Sequence, residues 1–374
     1  MAIEFIHTGD WHLAKPFGRF DLEKAALLRE ARARVVDRVG DLARQIGASV
    51  VLVAGDVFDG PLVADAVLRK LAARLEQFSD LQWHFLPGNH DPATSNSVWS
   101  RFAAMCTVDH VVIHQEAGLH HISTGIDLLT APLHARAIAH DPTAWMVDGT
   151  STPDTIRIGL AHGAVQGFGS AGEASVLISP DRAVSAELDY LALGDWHGVR
   201  QVGPKAWYAG TPEPDQFPDN DPGYALSVSI ARHGAEPQVQ RHWLGQYEWR
   251  KSMLDGDLLA RLGDLERSLV ATGTDATNTL LRLDIQGRVT LEEEFELRDR
   301  IERLSDRTFH TEADFSQVTV NTQQLDADAF DDPLLASVAA QLTGVLTAGG
   351  DEGAIAHRAL LLLARLAREQ ENVA

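Results

Sequence analysis

Five short segments hold side chains suited to gripping cations: Asp10-Trp11-His12, Gly55-Asp56-Val57-Phe58-Asp59, Gly88-Asn89-His90-Asp91, His162-Gly163 and Gly194-Asp195-Trp196-His197-Gly198. Carboxylates, an amide oxygen and imidazoles form a donor set suited to Mn²⁺, Fe or Zn²⁺ rather than to Mg²⁺ or Ca²⁺ alone. A two-ion phosphoester centre needs such a mixture, because ions about 3.5–4 Å apart activate water and clamp both the attacking and the leaving oxygen. Burying Asp10, Asp56, Asn89, His162 and His197 at strand ends without a cation would leave several polar groups uncompensated, which is costly. The expectation is a metal centre.

Strands must deliver these segments. Ile3–Thr8 reads as a strand, and the spacing of Val35, Val36, Val39, Leu42, Ala43 and Ile46 predicts one helix from Leu22 to Ile46. Ser49–Ala54 is a β-branched run of the kind buried on both faces. Val63, Ala66, Val67, Leu71, Leu75 and Phe78 trace a second helix, and Trp83–Leu86 a third strand. Ligands of open α/β sheets bind beyond the carboxyl ends of the strands, which is where the Gly/Asp/His-rich segments fall. From Val111 to Leu244 the pattern changes to short strands at Val111–His114, Ile126–Thr130, Ile156–Ala161, Tyr190–Leu193, Ala225–Ile230 and Val239–Trp243. The Pro/Gly/Asp-rich stretch from Gly210 to Gly223 predicts a long surface loop. After Gly245, a helix through Leu254, Leu258, Leu262, Leu265 and Leu269, a strand at Thr279–Ile285, a helix at Leu291–Leu304 and a strand near Val318–Val320 form a small αβαβ block. The residues beyond Asp331-Asp332-Pro333 read as helical.

Composition bounds the function. The 374 residues suit one large domain and a small one, and 32 Lys+Arg against 53 Asp+Glu leave a net charge of −21. That balance argues against coating nucleic acid through a basic face, whose affinity comes from neutralised phosphates. It does not exclude a phosphoester enzyme, since bound cations reverse the local field. The single cysteine, Cys106, cannot form an internal disulfide and fits a reducing compartment. The N-terminus enters a strand-like alternation without a basic leader, and apolar runs such as Val50–Ala54 and Leu360–Ala364 are too short for a bilayer. The expectation is a soluble, cytoplasmic protein that does not engage a membrane.

The ordered series D-x-H, G-D-x-x-D, G-N-H-D, A-H and G-x-x-H resembles the calcineurin-like metallophosphoesterases over roughly residues 1–245. Within them it is most similar to the nuclease subunit of bacterial SbcCD-type DNA-repair exonucleases. The resemblance implies an α/β fold: a four-layer α/β/β/α sandwich core (residues 1–245), a small α+β capping domain (246–330) and a helical tail (331–374). It implies that Asp10, His12 and His197 hold one ion, that Asn89 and His162 hold a second, and that Asp56 bridges both. His90 would serve as the general acid or stabilise charge on the phosphorane, with Asp91 orienting it as an outer carboxylate does. Relatives commonly end in G-H-x-H, whereas this chain has Gly194-Asp195-Trp196-His197. Asp195 is therefore expected to ligate the second ion directly or through water, and its charge should favour Mn²⁺ over Zn²⁺.

Other features have two readings each. Of 16 histidines, His7, His84, His110, His114, His120, His121, His233, His242, His310 and His357 match no motif, while His134 and His140 sit in a loop that would border the cleft. Trp11 and Trp196 would either stack on a nucleobase or pack beneath the ligand loops. Arg29, Arg32, Arg34 and Arg38 would touch a DNA backbone or lie on a solvated face beside Glu23, Glu30 and Asp37. In the tail, Ile355, Ala359, Leu362, Leu363 and Leu366 share one helical face, with Leu361 opposite near Arg365 and Arg368. A helix apolar on two sides is usually sandwiched; the resemblance supplies an SMC-like coiled-coil ATPase as one partner and a homodimer as another association. The leading expectation is a Mn²⁺-dependent DNA exonuclease, with endonuclease action on ends or single strands. The alternatives are a phosphatase or phosphodiesterase of nucleotides and other small phosphoesters, and a non-catalytic scaffold. The complete ligand set speaks against the scaffold.

Overall fold

The computed structural model describes residues 2–152, 154–167, 176–217, 220–271, 276–321, 332–348 and 350–371. The chain divides into two compact units, Met1–Glu248 and Trp249–Ala374. In the first, β1 (Ile3–Thr8) turns Phe5 into one core and Ile6 into another, as the period-two geometry of a strand requires. Two helices follow, α1 (Leu22–Ala33) and α2 (Val35–Ile46), where the apolar spacing predicts one. Every residue behind that expectation lies in α2. The chain breaks at Arg34, which caps both helices, so that α1 turns Arg32 into the interior while α2 lays Val35, Val36, Val39 and Ala43 on the sheet. Then come β2 (Val50–Val53), α3 (Asp65–Leu75), β3 (Gln82–Phe85), α4 (Val98–Met105) and β4 (Val111–Ile113). Helix α4, absent from the sequence reading, starts at a Ser97 cap whose hydroxyl accepts from Ser100 N–H.

The second half of this unit runs β5 (Gly118–Ser123), β6 (Ile126–Ala131), β7 (Ile156–His162), the short pair β8 (Ala164–Val165) and β9 (Leu177–Ile178), α5 (Arg182–Ser185), β10 (Tyr190–Gly194), β11 (Arg200–Gly203), β12 (Ala206–Tyr208), β13 (Tyr224–Ile230) and β14 (Gln238–Trp243). One six-stranded sheet has the order β14-β13-β1-β2-β3-β4 and the other β11-β12-β10-β7-β6-β5. The run β1-β2-β3-β4 is parallel, as is β12-β10-β7-β6. Val50, Leu52, Leu128, Ile158, Leu160, Leu226 and Val228 fill the space between the sheets. Helices α2, α3 and α4 cover the first sheet through Val36, Leu71 and Phe102, and α5 with the turn around Met146 covers the second. This is a mixed α/β, four-layer sandwich whose fourth layer is thin.

The stretch from Gly210 corrects an expectation. Residues 210–215 are buried rather than looped over the surface. The Glu213 carboxylate accepts from Gln246 N–H (2.8 Å), Tyr247 N–H (3.0 Å) and Arg38 (2.6 Å), and Asp215 accepts from Arg32 and Lys15. Charged side chains drawn inward by ion pairs override the composition of a turn-rich segment. Pro218 and Asp219 lie outside the described residues.

The second unit begins with a strand the sequence reading lacks, β15 (Glu248–Leu254), so Leu254 ends a strand rather than opening a helix. The order continues α6 (Leu258–Ala271), β16 (Thr279–Thr290), α7 (Leu291–Ser305) and β17 (His310–Asn321). The sheet order is β15-β16-β17, and Leu258, Leu262, Leu281, Leu283, Leu297 and Ile301 form its core. Thr290 and Glu293 close a capping box at the start of α7. Helices α8 (Pro333–Ala348) and α9 (Gly350–Glu371) pack together through Ala339, Leu360 and Ala364. The buried face of α9 is thus Ala356, Leu360 and Ala364, while Ile355, Leu362 and Leu366 are at least half exposed. The expected boundary at Asp331 and the side chains of Arg365 and Arg368 lie outside the described residues. Among the described residues, no helix is long and apolar enough to cross a membrane.

Candidate metal centre

Beyond β1 and β2 the chain continues as two loops running side by side, with Asp10 N–H bonded to Gly55 C=O (3.0 Å), His12 N–H to Asp56 C=O (2.9 Å) and Leu13 N–H to Val57 C=O (2.8 Å). Four of the expected ligand residues stand on left-handed backbone: Asp10 (φ 52°), His12 (φ 43°), Asp56 (φ 52°) and Asp195 (φ 103°). Such conformations cost energy in non-glycine residues and gather where function over-determines the chain. Two glycines explain the motif spelling. A Cβ on Gly55, itself at φ 88°, would sit 2.2 Å from His162 Nδ1, and one on Gly88 would sit 2.1 Å from Asp56 Oδ1.

The two sheets contribute opposite sides of the site. Asp10, His12, Asp56, Asn89 and His90 follow strands of the first sheet; His162 ends β7, and Asp195 and His197 follow β10 in the second. His12 Nε2 and His197 Nε2 face each other at 3.2 Å. Asp56 Oδ2 lies 3.8 Å from His12 Nε2 and 3.4 Å from His162 Nε2, between the two halves of the ligand set. Asp195 Oδ1 is 3.8 Å from His162 Nε2 and 3.4 Å from Asn89 Nδ2, and Asp195 N–H donates to Asp10 Oδ1 at 3.0 Å. Three overlapping groups, Asp10/His12/His197, His12/Asp56/His90 and Asp10/Asp56/His162, each bring their ligand atoms within 4.8 Å of one another. All seven residues expected to bind metal therefore share one place.

The donor chemistry fits cations. His162 Nδ1–H donates to Ala54 C=O at 2.8 Å, which leaves the Nε2 lone pair aimed at the Asp56 carboxylate. That Nε2 and Asn89 Oδ1 are both buried without a hydrogen-bond partner. Lone pairs facing lone pairs in a dry interior require a positive charge between them, a proton or a metal ion. Burial opposes charge on His162, yet Asp56, Asp10 and Asp195 together raise its pKa well above the usual range. Burial pushes the Asp10 carboxyl up to about 6 against the pull of His197 and His162, and raises Asp195 as well. Asp56 also resists ionisation by burial, but His162, His12 and His90 hold its carboxyl below the usual range. Burial lowers the pKa of His12 and His197, keeping them neutral ligands. The residues present fit two divalent ions.

Outside that set several expectations change. Asp91 does not orient His90: its two oxygens accept from Gly88 N–H (2.7 Å) and Phe58 N–H (3.0 Å), clamping one ligand loop to another. His90 Nδ1 instead donates to Asp59 C=O at 3.2 Å, and the Asp59 carboxylate lies 3.4 Å from His12 Nδ1. Asp59 was visible in the G-D-x-x-D motif, but nothing in the spacing assigned it a contact. Trp11 is fully buried against Trp83 and Phe85, donating to Thr8 Oγ1 at 3.0 Å, so it packs under the ligand loops and stacks on no base. Trp196 packs against the outer core of the second sheet. Arg32 and Arg38 lie neither on a solvated face nor free for a DNA backbone, since both bind the 210–215 segment. His134 Nδ1 donates to Ala93 C=O at 3.0 Å, just past the Asn89–Asp91 loop.

No curated protein matches the chain closely enough to count as a relative. Among solved structures it is similar to a protein of Thermus thermophilus, with 15% identity and a TM-score of 0.37, covering 64% of this chain and 99% of that one. It is similar also to a dimetal phosphatase from Danio rerio, with 12% identity and a TM-score of 0.38, covering 63% of this chain and 98% of that one. The calcineurin-like phosphoesterase profile matches residues 3–199, more than half of the chain and every ligand described above. The chain belongs to the calcineurin-like phosphoesterases, metal-dependent hydrolases of phosphoester bonds.

Proposed function

We propose that the protein is a Mn²⁺-dependent DNA phosphodiesterase, an exonuclease that also cuts ends or single strands, working as the nuclease subunit of a DNA-repair complex. The observation that carries the hydrolytic part is the place of Asp56 Oδ2 between His12 Nε2 and His162 Nε2. A carboxylate there can lend an oxygen to each of two ions. Asp10, His12 and His197 would hold one, and Asn89, His162 and Asp195 the other. When bound, the ions supply Lewis acidity and an activated water. The chain's own groups do the rest. His90, its Nδ1–H held by Asp59 C=O, leaves Nε2 as the nitrogen that, in the doubly protonated ring, can give its proton to a leaving oxygen and return to the neutral Nδ1–H form. The third carboxylate, Asp195, favours Mn²⁺ over softer-site metals.

The DNA reading rests on the motif series, on a second α/β unit that a small substrate does not need, and on the apolar residues exposed on α8 and α9. Leu334 (72% exposed), Ile355 (67%) and Leu362 (56%) are the side chains such a pair of helices would bury against the coiled coil of an SMC-like ATPase. A homodimer is the other association proposed. Turnover of linear DNA, with and without the ATPase, compared with turnover of a small aryl phosphodiester under Mn²⁺ tests the reading. DNA should be degraded far faster. Hydrolysis of the small ester with no action on any DNA form would make the protein a small-molecule phosphoesterase.

A further inference from the structure

The turn-rich segment 210–215 connects to the metal ligands through bonds that no motif announces. Thr211 N–H donates to the carbonyl of His197 at 3.1 Å, and the Thr211 hydroxyl accepts from Arg32 Nη2 at 3.1 Å. The same Arg32 nitrogen donates to Asp215 Oδ2 at 3.0 Å, and that oxygen takes Lys15 Nζ at 2.7 Å. Lys15 N–H in turn bonds the carbonyl of His12 at 3.2 Å. These contacts close a ring from His12 through Lys15, Asp215, Arg32 and Thr211 to His197, whose ends are the two imidazoles facing each other at 3.2 Å. Arg32 and Asp215 are essentially inaccessible, 1% and 5% exposed. Buried ion pairs of this kind hold geometry, because neither partner can leave without stranding the other's charge.

We propose that Asp215 is the positioning residue of the first metal site, fixing His12 against His197 and neutralising the Arg32 charge that lies behind them. The inference rests on the two-ion reading of the centre. Its electrostatic half rests on contact: one oxygen, Asp215 Oδ2, meets Arg32 Nη2 at 3.0 Å and Lys15 Nζ at 2.7 Å. Without the carboxylate, the Arg32 guanidinium and the Lys15 ammonium would lose the anion that both contact. In the contacts above, Asn89, His162 and Asp195 meet the ring through the shared Asp56 and through Asp10 rather than directly, so the effect should fall chiefly on the first ion.

Calorimetric titration of the full chain with Mn²⁺ tests this. The wild type should bind two ions. Asp215→Asn should weaken one of them about 10–100-fold, the usual effect of losing an outer partner of a metal ligand, and change the other far less. Thr211→Val removes the hydroxyl that joins Arg32 to the His197 end of the ring without changing any charge, and should weaken the same ion by a smaller factor. That variant decides the matter if Asp215→Asn does not fold. Two ions bound by folded variants with wild-type affinities, or both affinities falling together, would overturn the inference and leave the two-ion reading intact. A wild type that binds no pair of ions would overturn both.

Discussion

In the metal centre Asn89 Oδ1 and His162 Nε2 are buried without a partner, whereas in the neighbouring cluster the Asp215 carboxylate meets two cations and Glu213 meets one cation and two amides. Both clusters are dry, charged and built from segments rich in Gly, Pro and Asp. The first is arranged so that electron pairs converge, and it is complete only with something positive added from outside. The second carries its counter-charges within the chain. Arg32 Nε and Arg38 Nε are buried without a partner as well, so the ligand site is marked by electron pairs converging on one point rather than by an unpaired atom alone.

Substitutions on the two sides of this contrast should behave differently. The largest effect is expected at Asp56: Asp56→Asn should lower phosphodiester turnover by about 10³-fold or more. It should also lose the ligand-linked stabilisation, which for Mn²⁺ at a hundred times its Kd amounts to about 2.7 kcal/mol per site. Thermal melts with and without Mn²⁺ measure that difference. Asp215→Asn should instead destabilise the protein by about 3–5 kcal/mol even without Mn²⁺, because it leaves Arg32 buried without its counter-charge. Urea unfolding reads this directly, and a loss seen only with metal would erase the distinction between clamp and ligand site. The sign with pH follows. Arg32 and Lys15 hold the Asp215 carboxyl below the usual carboxylate range against the cost of burial. Its contribution is present above the unfolded-state value near 3.9 and is lost as acid protonates the folded form. The acid limb of the stability curve should therefore be shallower in Asp215→Asn.

The ligand set was legible because each residue ends a strand or follows one by a few positions and carries a type that burial forbids unless it is paired. Gly55 and Gly88 completed the pattern, since only a missing Cβ lets Asp56 and His162 close in. What escaped was contact between distant positions. Arg32 and Asp215 are 183 residues apart, so Arg32 read as one more charge on a helix, and the break at Arg34 that turns it inward has no periodic signature. Strand β15 escaped for a local reason: Arg250 and Lys251 interrupt its alternation between the buried Trp249 and Leu254. On α9 the buried stripe is Ala356, Leu360 and Ala364, and small residues score weakly beside the exposed Ile355, Leu362 and Leu366.

Two smaller effects sharpen the picture within the centre itself. His90→Asn should reduce turnover by about 10²-fold while two ions still bind, since its role is a proton rather than a metal. Calorimetry and steady-state rates on one preparation check both halves. Asp91→Asn should cost about 1–3 kcal/mol of stability by losing one of two backbone acceptors, yet leave the pH dependence of turnover unchanged. A shifted pH profile would return Asp91 to the role of orienting His90.

The central claim is that one carboxylate serves two cations, and a Mn²⁺-soaked crystal with anomalous scattering at the metal edge tests it most directly. The account predicts two peaks about 3.5–4 Å apart, one beside Asp10, His12 and His197, one beside Asn89, His162 and Asp195, with Asp56 touching both. A single peak, or two that leave Asp56 bound to neither, would contradict it.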